Sequence, residues 1–167
     1  MAAILYALLP SCASKKQHDA DLINKLENEL FSGTHAPVDI EKLLQLVDAY
    51  VSFADKNPDD TLAAEYLFRA ADIAMNIGYS ERSIELLSRI QQQYADFKKV
   101  PETFFLMGFV YENNLNDLEK AREMYSAFIE SYPDHELADD ATVLLQYLGR
   151  SPEEMIREFE KKQQAIQ

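Results

Sequence analysis

Displaced by 38 residues, this chain falls on itself. Glu81-Arg82-Ser83-Ile84-Glu85-Leu86-Leu87-Ser88 lands on Glu119-Lys120-Ala121-Arg122-Glu123-Met124-Tyr125-Ser126, and Tyr94-Ala95-Asp96 lands on Tyr132-Pro133-Asp134. Upstream, Tyr66 falls on Phe104, Ala70 on Gly108, Ile73 on Tyr111 and Asn76 on Asn114. Small residues meet small ones and large apolar residues meet large ones, over a stretch long enough for two helices. An internal period of this size means that one supersecondary unit is used repeatedly. No copy can bury its apolar face alone, so the copies must pack on one another.

The unit is helical. Leu22, Ile23, Leu26 and Leu30 recur at helical spacing, as do Leu43, Leu44, Val47, Tyr50, Val51 and Ala54, and no stretch shows sustained strand-like alternation. With only 4 Gly and 6 Pro, the chain is too poor in turn residues for a β-sandwich or a Gly-loop nucleotide fold. Those residues stand at joints instead. Gly33 and Pro37 flank a loop, and Pro58, Gly78, Pro101, Pro133, Gly149 and Pro152 each separate two periodic segments. Ser151-Pro152-Glu153-Glu154 spells a capping box, with Ser151 as N-cap, Pro152 at the first helical position and Glu154 at the third. The pattern predicts an all-α protein of about eight helices, near 20–31, 38–56, 60–77, 80–95, 101–114, 118–132, 136–148 and 152–165. Short loops make neighbouring helices antiparallel hairpins.

The second unit reads Phe104-x₂-Met107-Gly108-x₂-Tyr111, then Ala121-x₃-Tyr125, then Pro133. This is the W-x₂-L-G-x₂-Y…A-x₃-F…P pattern, and in it the chain resembles the tetratricopeptide-repeat (TPR) family. Gly108 and Ala121 are small where two helices must approach closely, and Phe104, Tyr111 and Tyr125 fill the space around that contact. Glycine inside a helix costs about 1 kcal/mol against alanine, so Gly108 needs such a packing reason. The resemblance is clear over 60–133, with the best repeats at 60–96 and 101–134, partial over 136–165 and degenerate over 20–58. It implies antiparallel helix hairpins stacked as a right-handed superhelix, with atypical units at the ends.

Carrying the family's partner-binding groove onto this sequence gives Leu67, Ala71, Ala74 and Met75 in the first good unit. The second contributes Phe105, Phe109, Glu112 and Asn113. Leu67 and Phe105 stand where members that clamp a carboxylate hold lysine, so the resemblance implies an apolar, aromatic groove. Phe105 and Phe109 fit a core role equally well, because aromatics at helical spacing are commonly buried.

The first eleven residues carry no charge, and the single cysteine, Cys12, follows them. A membrane span needs about 20 apolar residues, so the run is too short for one. Leu9-Pro10-Ser11-Cys12 resembles a bacterial lipobox, in which the cysteine thiol takes a lipid. The organisation expected is a lipoprotein signal segment over 1–12, a polar tether over 13–19 and a helical domain over 20–167. No Lys or Arg precedes Cys12, which fits a true start upstream of Met1. With one cysteine no disulfide framework forms, and the absence of cysteine from the rest of the chain fits an extracytoplasmic, oxidising compartment. Ala13-Ser14-Lys15 after Cys12 favours the periplasm. A lipid-anchored chain of such repeats also resembles the BamD-like outer-membrane assembly lipoproteins and the TPR proteins of the Tol–Pal system.

A net charge of −13 argues against nucleic acid and against an anionic lipid surface. His18, His35 and His135 form no ligand pair with each other or with cysteine, so no metal is expected, and His135 reads as a solvated residue in a helix's first turn. There is no Gly-rich phosphate loop and no Gly-x-Ser-x-Gly elbow. Asp59-Asp60, Asp139-Asp140 and Glu153-Glu154 open predicted helices, where carboxylates offset the macrodipole. No catalytic residue, metal or cofactor follows. The expectation is a non-catalytic scaffold, lipid-anchored at Cys12 in the outer membrane and facing the periplasm. It would bind an envelope protein or peptide segment and touch the membrane only through its lipid. The alternative is a soluble cytoplasmic TPR adaptor with a mis-assigned start.

Overall fold

The structure is a computed structural model that describes residues 11–32 and 39–151 together with 153, 154, 156, 157 and 161; for 11–15 it describes the backbone alone. Among the described residues there are seven α-helices and no strand. They are α1 (Ser11–Phe31), α2 (Ile40–Lys56), α3 (Ala63–Asn76), α4 (Ser80–Gln93), α5 (Val100–Asn113), α6 (Leu118–Ser131) and α7 (Ala138–Tyr147). The eighth expected helix falls largely outside the described residues, but 153, 154, 156, 157 and 161 are helical within it. Its capping box forms as read: the Glu154 amide donates to Ser151 Oγ at 3.2 Å, and the Ser151 amide donates to Glu154 Oε2 at 2.9 Å. Residues 1–10 of the expected signal segment and the Gly33–Pro37 loop lie outside the described residues, as does the side chain of Cys12.

One expectation about the N-terminus changes. The stretch 13–19 is not a tether but part of α1. No Gly or Pro interrupts residues 11–32, and polar Lys, Gln and Asp are compatible with a helix. Ion pairs then fasten this polar end: Lys56 Nζ reaches Asp19 at 2.9 Å, and Lys16 pairs with Asp60. At the other end of the hairpin Lys42 reaches Glu29 at 3.0 Å.

The chain divides into two compact units, residues 1–86 and 87–167. In the N-terminal unit α1 packs on α2 and α2 on α3. Its core holds Ile23 and Leu26 of α1, Leu46, Tyr50 and Phe53 of α2, and Leu67, Ala70 and Ala71 of α3. In the C-terminal unit α5 packs on α6 and α6 on α7, around Ala121, Tyr125, Phe128, Ala138 and Ala141.

The repeat is written in the backbone. The Asn57 amide bonds to Phe53 O, Asp60 to Asn57 O, and Ala63 to Asp60 O. The same three bonds recur at Tyr94, Phe97 and Val100, and again at Tyr132, His135 and Ala138. Asn57 and Tyr132 end their helices with nearly identical dihedrals, φ −134° and ψ 58° against φ −135° and ψ 56°. Proline at the second turn position, Pro58 and Pro133, presets the φ that this turn requires. His135 therefore sits in the inter-repeat turn rather than in a helix. Its ring lies edge-on to Phe128 with centroids 5.3 Å apart, and its Nδ1 accepts from the Leu137 amide at 3.2 Å. It is a packed residue, not a solvated one.

These turns also correct the register. Asp59 to Asp96 is 37 residues, whereas Asp96 to Asp134 is 38. The extra residue lies in the turn between α5 and α6. The Tyr79 amide bonds to Ala74 O after α3, and the Asp117 amide bonds to Tyr111 O after α5, spans of five and six residues. Gly78 and Asn116 occupy the left-handed region in the two turns, at φ 85° and 52°. Through α3 and α5 the offset is thus 37: Leu67 matches Phe104 and Ala71 matches Gly108. From α4 to α6 it is 38.

Candidate binding cleft

On α3 the buried row is Ala63, Tyr66, Leu67, Ala70, Ala71 and Ala74. The opposite row, Arg69, Asp72, Ile73 and Asn76, follows at helical spacing and stays accessible. On α1 the row Ile23 and Leu26 is buried, leaving Glu27, Asn28 and Phe31 beside it. Between these two accessible rows lies an open cleft of about 480 Å³. Tyr50 of α2 forms its floor, with its ring stacked on Tyr66 at 5.0 Å and 22°. Phe53 meets Tyr66 edge-on at 4.9 Å from below.

One carboxylate ties three helices together here. Glu27 Oε1 accepts from the Tyr50 hydroxyl and from Arg69 Nη1, the latter at 2.9 Å, while Arg69 Nε reaches Glu65 at 3.2 Å. Burial, then the bond to Glu27, holds the Tyr50 phenol above its ordinary pKa, so the hydroxyl stays a donor. Arg69 is about half exposed, which keeps each ion pair near the modest worth of surface pairs. The arrangement orders the cleft more than it stabilises the fold.

The same device appears in the C-terminal unit. Tyr125 of α6 is fully buried and donates to Glu112 of α5 at 3.0 Å. Burial, then the charge and hydrogen bond of Glu112, raises that phenol too. Its ring lies against Gly108, where a Cβ would stand 2.6 Å from Tyr125 Cε1 and 2.7 Å from Cδ1. No side chain fits there without displacing the ring. Gly108 is buried and Ala121 has no exposed surface, so each helix of the packed pair α5 and α6 carries one small residue in its buried face.

Residues 102–135 match the tetratricopeptide-repeat family. The match runs from the first turn of α5 through α6 and into the turn that carries His135. It contains Ala121 together with Gly108 and Tyr125, the two residues that make the close approach. No curated protein matches the chain.

The residues carried over from the family's groove scatter. Leu67 and Ala71 have no exposed surface and Ala74 almost none, so none of the three can touch a partner. The reason is the register: with the offset of 37 they match core positions, and α3 presents Phe68, Asp72, Met75 and Asn76 where α5 presents Phe105, Phe109, Glu112 and Asn113. Met75 is half-buried. On α5, Phe105 packs against Tyr125 and Phe128, each at 5.9 Å. Phe109 is 39% exposed, and Asn113, also exposed, turns its amide back to Phe109 O at 3.0 Å. Glu112 is engaged by Tyr125 as described. Glu27, Arg69 and Asp72 were not singled out from the sequence. The spacing of Asp59, Asp96 and Asp134 fixes the α3 register and so the face that Arg69 and Asp72 share, but it does not join that face to Glu27 of α1.

Among the described residues no group of three or more His, Cys, Asp or Glu is placed to hold a metal ion. Among the same residues no helix is long and apolar enough to cross a membrane.

Proposed function

We propose that this chain is a non-catalytic protein-binding scaffold of the bacterial cell envelope, anchored by a lipid on Cys12, that holds a partner protein through the cleft between α1 and α3. The observation that carries the reading is that cleft: about 480 Å³ of open space, walled by two helices and floored by a clamped tyrosine, in a chain with a tetratricopeptide repeat. Tetratricopeptide repeats serve as protein-interaction scaffolds, and a cleft of this size suits side chains of a peptide segment. The lipobox-like Leu9-Pro10-Ser11-Cys12 supports the anchor and, with Ala13-Ser14-Lys15, the periplasmic face of the outer membrane. This is the setting of the BamD-like and Tol–Pal lipoproteins that the sequence resembles.

A lipid on Cys12 would join directly to α1, because Cys12 lies within that helix. From Lys16 onward that helix is tied to Asp60 and, through Asp19, to Lys56. The scaffold would then ride close to the bilayer instead of ranging on a flexible leash.

Two measurements test the proposal. Palmitate labelling should mark the wild-type chain and not Cys12→Ser; equal labelling removes the anchor. A photo-crosslinking residue at Ile73, in the cleft, should capture one partner protein in intact cells. The same group at Glu123, an exposed residue of α6, should not. Identical capture from both positions removes the cleft as the binding surface.

A further inference from the structure

Resting on that reading, we propose that the cleft between α1 and α3 receives a partner segment that presents a basic side chain beside a bulky apolar one. The charges select the sign. Among the described residues Arg69 is the cation lining the cleft, and it is already shared between Glu27 at 2.9 Å and Glu65 at 3.2 Å. Asp72, next along the same face of α3, is exposed and receives only the neutral amide of Asn76 at 3.2 Å. Two carboxylates thus already hold the one guanidinium, and Asp72 has no cation on it among the described residues. A chain of net charge −13 adds long-range attraction for a positive group. An acidic segment would have to pull Arg69 from Glu27 and Glu65 and face Asp72. The geometry opposes it at each step.

The apolar half of the motif follows from Phe31. At 65% it is the most exposed large apolar side chain among the described residues, and it stands at the cleft mouth with Ile73 opposite. Asn28, one turn back on α1, offers an amide with both donor and acceptor to an extended backbone. The carboxylates thus receive the cation, Phe31 and Ile73 cover the neighbouring side chain, and Asn28 holds the main chain between.

The test uses the full chain, isotope-labelled for amide NMR, and two probe peptides, N-acetyl-Leu-Arg-Phe-amide and N-acetyl-Leu-Glu-Phe-amide. The arginine peptide should shift the amides of Asn28, Arg69, Asp72 and Ile73 and bind about fivefold or more tightly than the glutamate peptide. Asp72→Lys should weaken it about tenfold, and Asp72→Asn by less. Glu123→Lys makes the same change in net charge on α6 and should stay within about twofold. Asp72 is exposed, so both variants at that position should keep the wild-type helical signal. Equal binding of the two peptides overturns the inference, as does preference for glutamate or equal loss from Glu123→Lys. The scaffold reading fails separately: if Ile73 crosslinks a partner through an acidic segment, the scaffold stands and the basic-segment inference falls.

Discussion

Replacing Gly108 with alanine adds one methyl group to a helix that should, by intrinsic propensity, gain about 1 kcal/mol from it. The structure reverses the sign. The new carbon would stand 2.6 Å from Tyr125 Cε1, where carbon atoms in contact prefer about 3.5–4.0 Å. The ring must retreat by about 1 Å, and it has little room: it is fully buried, flanked by Phe105 at 5.9 Å, and its hydroxyl is bonded to Glu112 at 3.0 Å. Overpacking of this kind costs about 1–3 kcal/mol, and stretching the hydrogen bond adds about 1. After the propensity gain, Gly108→Ala should lose about 2 kcal/mol.

A double-mutant cycle isolates the cause. Tyr125→Leu alone should cost about 2 kcal/mol, from lost aromatic contact and a deserted Glu112. In that background Gly108→Ala should cost nothing or stabilise by up to about 1 kcal/mol, because the obstructing ring is gone. The coupling is then about 2–3 kcal/mol, well beyond the additivity of independent sites. The double variant, alanine facing leucine, would reproduce what the preceding repeat holds at the matching positions, Ala71 and Leu87, both buried. Urea unfolding followed by far-UV circular dichroism measures all four proteins. If Gly108→Ala costs the same with Tyr125 and with leucine at that position, to within about 0.5 kcal/mol, the close approach is not what the glycine serves.

Two further outcomes follow from named contacts. Burial raises the phenols of Tyr50, Tyr66 and Tyr125 above their ordinary pKa. A raised pKa means that the folded state holds those protons more firmly, so their contribution is complete below about pH 10 and is lost as pH climbs past it. In an alkaline titration these three tyrosines should ionise together with loss of helical signal. Reversible ionisation of Tyr50, Tyr66 and Tyr125 at the ordinary phenol pKa of about 10 with helices intact would contradict the burial argument. Ser151→Ala removes one half of the reciprocal cap with Glu154 and should cost its helix about 1 kcal/mol. Amide exchange at Glu154, Ile156 and Arg157 should quicken about fivefold while α5 and α6 keep their rates. Unchanged exchange there would mean the cap does not hold that helix.

Much of the fold was legible because its determinants are local. Pro58, Gly78, Pro133 and Gly149 stand between helices as expected, Pro101 lies in the first turn of α5, and Ser151 with Glu154 makes the reciprocal cap that the sequence spells. Gly108 could be read as a contact because a glycine inside a helix demands a reason. The polar stretch before residue 20 misled for a related cause. Polarity marks exposure, not absence of helix, and only Gly or Pro would have argued for a break.

The cleft was hidden by a single residue. A slip of one position along a helix turns a side chain by about 100°, from an accessible face to a buried one. The offset of 38 holds for α4 and α6, where most of the identities lie, and extending it through α3 moved Leu67 and Ala71 onto a face they do not occupy. The longer turn around Asn116 absorbs the difference, and turn length leaves no trace in hydrophobic periodicity. Glu27, Tyr50 and Arg69 were beyond reach for another reason. They come from three helices and mean little apart, since a glutamate on α1 and an arginine on α3 are ordinary surface residues until a tyrosine from α2 rises between them. A binding surface assembled from residues that are each commonplace in sequence can be found only once the register of every helix is known. Here the inter-repeat turns, through Asp59, Asp96 and Asp134, supply that register.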